Sequence, residues 1–138
     1  ERGKKIMIWA HNLHIAKGTT LTAYKGMGWY INEKAGAAYY ALGFDTFSGE
    51  ANVLDGDQFQ PYSFKAGPNS YSALFASVQY PSFFISFSGK DDPLAPAALD
   101  ITIIKANWTD ETALPIIPGI DFDGLVFIRK TTPSIKLE

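Results

Sequence analysis

Apolar residues fall along this chain in short blocks divided by polar, glycine-rich or proline-rich stretches. The first block, KIMIWA (Lys5–Ala10), is apolar without interruption between charged and polar neighbours. A run of that length without alternation predicts a strand buried on both faces, as in a parallel sheet covered by helices. In LTAYKGMGWYINEKAG, Leu21, Tyr24, Met27 or Gly28, and Ile31 recur at helical spacing. That predicts a helix over 21–36, stopped by Gly36. Gly26 and Gly28 weaken it by up to about 1 kcal/mol each, a cost explained if another element packs closely there.

AAYYALGFDTF reads as a second strand and EANVL as a third, parted by Ser48-Gly49. DGDQ marks a turn, and FQPYSF is a strand that Pro61 pushes to an edge. Asn69 or Ser70 caps a helix, SYSALFASVQ, which Pro81 ends; SFFISF is the next strand. GKDDPLAPAALD reads as loop or broken helix, ITIIKANW as strand, DETALPIIPGIDFDG as loop, and LVFIRKT as the last strand. Strands alternating with helices predict an α/β fold: a mixed, largely parallel sheet with helices packed on it, within a larger three-layer domain. No repeat or internal boundary divides residues 1–138, so they form one domain or a portion of a longer one.

Composition narrows the partners. A net charge of −2 with no basic stripe argues against nucleic acid. No apolar run reaches the roughly 18 residues that span a bilayer; the compartment stays open, with a soluble, cytoplasmic protein preferred. With no cysteine, disulfides, thiolate nucleophiles and cysteine metal sites are excluded. Aromatic residues make up 14% of the chain, which supplies either a bulky core or the lining of a groove. The chain opens on Glu1, and ERGKK reads as the exposed end of an element begun earlier.

Both histidines lie within four positions, in His11-Asn12-Leu13-His14, where the first predicted strand should emerge. Ligands of open α/β sheets gather at such exits. A helical turn there would bring the two imidazoles to one side, able to take, give or share a proton. Asn12 would orient an imidazole or donate to a developing oxyanion. The alternative is that the histidines satisfy buried carbonyls and Asn12 makes a turn. Asp45 and Glu50 stand near the exit of the second strand, either beside the histidines or merely capping a turn. No His-Glu-x-x-His motif supports a metal, and no Gly-x-Ser-x-Gly supports a serine nucleophile, so neither a metal nor another cofactor is expected.

IMIWAHNLHIAKG resembles the Trp-Ala-His-Asn-x-His motif of the erythromycin esterase family, followed by its small or basic residue. MGWYINEKAG is similar to that family's Met-Gly helix, YYALGFDTFSGE to its Gly-Phe strand, and FDGLVFIRKTTPS to its closing segment. The stretch from about Leu54 to Asn107 matches poorly. Relatives resembling polysaccharide-biosynthesis proteins, succinoglycan among them, share the motif.

The resemblance implies an ester hydrolase in which histidine and glutamate activate water. His11 and His14 would be catalytic, with Asn12, Asp45 and Glu50 in support. The family also carries an earlier Gly-Glu-x-x-His-Gly segment, absent here: Gly49-Glu50 is followed by Ala51-Asn52. The resemblance therefore implies the C-terminal part of a longer hydrolase domain, inactive alone, whose partners are a small-molecule ester and the missing N-terminal segment. The competing reading is a non-catalytic carbohydrate- or ligand-binding α/β domain.

Overall fold

The computed structural model describes Gly3, residues 5–107 and residues 109–135. Helix α1 (Asn12–Ile15) and helix α2 (Met27–Ala35) precede the long strand β1 (Leu42–Asp55). A two-residue turn at Gly56-Asp57 then leads into β2 (Gln58–Lys65), helix α3 (Tyr71–Ala76) and β3 (Ser82–Ser86). Strands β4 (Leu99–Thr102), β5 (Ala113–Ile116) and β6 (Gly124–Thr131) complete the chain.

The main sheet runs β2-β1-β6-β3, with β4 and β5 forming a separate antiparallel pair. The fold is mixed α/β, as the pattern predicts. The parallel share is confined to the centre, β1 against β6; β2 and β3 flank that pair in antiparallel fashion. Pro61 lies on β2, an edge strand, where a missing N–H leaves no interior ladder bond unmade.

β1 joins what the sequence divides into two strands. Gly49 is not a turn: at φ +148° it continues the strand, and a side chain there would run into the backbone of Thr131. The glycine marks where β1 changes neighbours, from β6 (residues 42–49) to β2 (residues 48–55). β5 lies in the stretch expected to be loop. Its Pro115 is tolerated because a two-stranded ribbon has a free edge on each strand. β4 is shorter than expected, since Ile103 turns to donate to the Thr112 carbonyl (2.9 Å) and the chain then bridges to Leu54. The rest of that expectation, Trp108, lies outside the described residues, as do Glu1, Arg2 and Lys4 of ERGKK.

One face of the sheet is closed. Leu125 and Phe127 of β6 pack with Tyr71 and Phe75 of α3, Ile101 of β4 and Ile116 of β5 in a single core. Ser70 caps α3, its Oγ accepting from the Ala73 N–H at 3.1 Å. The opposite face carries a cross-strand row, Phe44–Val126–Phe84, set by register. Phe44 and Phe84 are exposed there.

KIMIWA does not form the expected strand. Ile6, Met7 and Trp9 are each more than 80% exposed, and residues 5–10 make no ladder bonds. Burial on both faces requires a layer on each, and the described residues supply a layer on one face of the sheet only. No helix among the described residues is long and apolar enough to cross a membrane.

Candidate functional site

The His-Asn-x-His segment folds as the single turn α1, fastened to five places in the chain. His11 caps it, Nδ1 accepting from the Leu13 N–H (3.3 Å), while Nε2 lies 3.0 Å from the Ile104 carbonyl. A donor on one nitrogen and an acceptor on the other select the Nε2–H tautomer. Asn12, buried, donates from Nδ2 to the Phe44 carbonyl (2.6 Å) and accepts on Oδ1 from the Phe44 N–H (3.1 Å). The Tyr39 hydroxyl donates to the Ile15 carbonyl (2.6 Å), and the Lys17 N–H to that of Asp121 (2.9 Å). Lys17 also pairs through Nζ with Asp123 Oδ1 (2.7 Å), whose Oδ2 accepts from the Ala41 N–H (2.7 Å). The His14 ring is exposed and makes no hydrogen bond among the described residues.

Helix α2 reaches this turn because of Gly28. A Cβ there would collide with the carbonyls of Ile15 and Ala16, so the glycine permits the close packing anticipated from the sequence. Gly26 is the N-cap, and the helix starts at Met27 rather than Leu21; Leu21 is instead buried in the core.

Asp45 lies on the closed face of β1 and is 4% exposed. Oδ1 accepts three hydrogen bonds: from the Thr46 N–H (2.8 Å), the Ser72 hydroxyl (2.8 Å) and the Thr102 N–H (2.9 Å). Oδ2 is buried and has no partner. Loss of hydration pushes the carboxyl up to about 6, against the pull of those three donors. Asp121 is also buried and shifted upward by desolvation; its Oδ2 accepts from the Ile117 N–H at 2.6 Å.

A cavity of about 540 Å³ opens beside the free edge of β1. Its walls are mainly apolar, from Ile6, Trp9, Ile31, Leu42, Phe44 and Ile103, with His11, Asn12 and Asp45 among the polar contributors. That size suits a small organic molecule. His11, Asn12 and Asp45 therefore converge on one cavity, while His14 and Glu50 lie outside its lining. Glu50 stands five positions from Asp45 on one strand, an odd spacing that sends their side chains to opposite faces; its carboxylate meets the Ser63 hydroxyl instead (3.3 Å). The Asn12 amide serves the backbone of Phe44 rather than His11. Ser72, Thr102 and Tyr39, which hold the site, carry no sequence signal, because each reaches it from a different element. Among the described residues no cluster of three or more potential ligands could hold a metal ion.

An α/β protein with a polar turn at the mouth of an apolar cavity is the class that fold and site define. Residues 1–131 match the erythromycin esterase family, and the chain belongs to it. It is similar to YbfO of Bacillus subtilis (strain 168), whose name assigns it provisionally to the hydrolases: 24% identity, covering 98% of this chain and 32% of that protein. A crystal structure of a Bacillus cereus protein superposes with TM-score 0.80 at 30% identity, over 91% of this chain and 33% of its own. The crystal structure of a succinoglycan biosynthesis protein superposes with TM-score 0.78 at 24% identity, with the same two coverages of 91% and 33%, a likeness of fold. The chain thus spans about a third of the length of these relatives.

Proposed function

We propose that this chain is one part of a carboxylic-ester hydrolase in which water is activated by histidine and glutamate. The observation that carries the reading is the placing of His11 and Asn12 of the His-Asn-x-His segment, in a member of this family, at the wall of an apolar cavity. His11 polarises the ester carbonyl through its Nε2–H, which a bound ester must first take from the Ile104 carbonyl. His14, its ring unengaged, takes the proton of the attacking water. Asn12 supports the turn that carries both rings.

The glutamate and the remainder of the site come from polypeptide outside residues 1–138. Two findings support this: the chain spans about a third of its relatives, and Ile6, Met7, Trp9, Phe44 and Phe84 leave an apolar face uncovered. The substrate is a small-molecule ester, and no cofactor takes part.

Turnover of ester substrates by the full-length protein tests the reading. His11→Ala and His14→Ala should each lower kcat by about 10²-fold or more with folding intact. Residues 1–138 alone should be inactive and regain activity when the preceding segment is supplied. If both variants mainly lower the melting temperature and leave turnover in place, the hydrolase reading falls. Ligand or sugar binding that survives both substitutions would then favour a non-catalytic binding domain.

A further inference from the structure

We propose that this cavity selects esters whose acyl group is an uncharged hydrocarbon, with Ile31 among the residues that enforce the choice. This inference rests on the hydrolase reading above and names the substrate class of that site.

The wall offers apolar surface that a bound molecule can touch. Met27 and Ile31 lie four positions apart on α2, so one face of that helix turns to the cavity. Leu42 and Phe44, two apart on β1, share a face of the strand. Trp9 adds its ring, 5.9 Å from that of Phe44. Met27, Phe44 and Trp9 are 39%, 43% and 84% exposed, and Ile31 and Leu42 are half-buried, so each is within reach of a ligand. Hydrocarbon laid against them leaves water, which favours binding by about fourfold for each methylene.

The polar groups of the wall are engaged by the protein itself. Both amide atoms of Asn12 bind the Phe44 backbone, and the Tyr39 hydroxyl donates to the Ile15 carbonyl. Asp45 Oδ1 accepts from donors on β1, α3 and β4, and its Oδ2 is buried. His11 Nδ1 accepts from Leu13, which leaves the Nε2–H, shared with the Ile104 carbonyl, for the carbonyl of an ester. Among the described residues no lysine, arginine or glutamate lines the cavity.

These two properties act together. A charged chain would give up its hydration with no counter-ion to replace it, and a hydroxyl would find few free partners. A hydrocarbon chain meets neither cost. The acyl group carries the carbonyl that His11 holds, so it is the part kept at the wall while the alcohol departs.

Four 4-nitrophenyl esters, compared on the full-length protein, test the proposal: the hexanoate, and counterparts whose chain ends in a hydroxyl, a carboxylate or a trimethylammonium group. Relative to the hexanoate, kcat/KM should fall by about tenfold for the hydroxyl and by about 10²-fold or more for either charge. Ile31→Lys puts an ammonium on the wall at a helical position that lysine suits. It should lower the hexanoate-to-carboxylate ratio of kcat/KM by about tenfold or more, whereas Ile31→Leu should leave that ratio in place. A charged ester cleaved by the wild type within about tenfold of the hexanoate overturns the proposal and leaves the hydrolase reading standing. A ratio that folded Ile31→Lys does not move overturns it as well. Should Ile31→Lys not fold, the wild-type series decides. If the wild type cleaves none of the esters, the hydrolase reading falls and this inference goes with it.

Discussion

The side-chain amide of Asn12 pairs at two points with the backbone of Phe44, donating to its carbonyl at 2.6 Å and accepting from its N–H at 3.1 Å. It does for β1 what a neighbouring strand would do, at the stretch before β2 joins. Asn12→Ala leaves both backbone groups unpaired in a partly buried setting, and about 3 kcal/mol of stability should be lost. Asn12→Asp should cost as much or more, because a carboxylate oxygen then faces the Phe44 carbonyl. Urea unfolding of the two variants measures both effects.

Asp45 makes stability depend on pH. Its folded-state value, about 6, lies above the ordinary 3.8, so the folded chain holds the proton more tightly than the unfolded chain. Stability from this group is therefore fullest below pH 4 and is lost as pH rises through 6, by about 3 kcal/mol in all. The difference in unfolding free energy between wild type and Asp45→Asn, followed from pH 4 to 7.5, should shrink by that amount. A difference that stays constant would show that the folded carboxyl is not held protonated.

Gly28→Ala should destabilise the chain even though alanine favours a helix by about 1 kcal/mol. The new methyl meets the carbonyls of Ile15 and Ala16, so α2 must move off α1. A net loss of about 2 kcal/mol is expected. Gly26→Ala, where a Cβ would lie 3.2 Å from the Leu13 carbonyl, should be milder. Thermal melts of the two variants give the order.

Residues 6–9 should be energetically silent in this chain taken alone. Ile6→Ser and Met7→Ser remove side chains that are each 87% exposed, and should change stability by less than about 0.5 kcal/mol. Trp9, 84% exposed, should emit as a hydrated indole; the fluorescence difference between wild type and Trp9→Phe isolates it. A blue-shifted component would show that this segment is covered after all.

The order of elements was legible in the sequence wherever local chemistry decides. The Asp55–Gln58 turn, the Ser70 cap, the edge position of Pro61 and the apolar last strand follow from turn geometry, capping and side-chain period. The sequence could not say whether KIMIWA has neighbours on both faces, since an apolar run announces a wish for burial and not its fulfilment. Nor could it say that Gly49 carries β1 from one partner to another, because the approach of Thr131 that demands the glycine comes from the far end of the chain. Only the tertiary structure decided that Asn12 serves Phe44, that Glu50 turns away, and that Asp45 is buried with one oxygen satisfied and one bare. Those outcomes depend on Ser72, Thr102 and Ile104, distant residues whose meeting is a property of packing and of no local pattern.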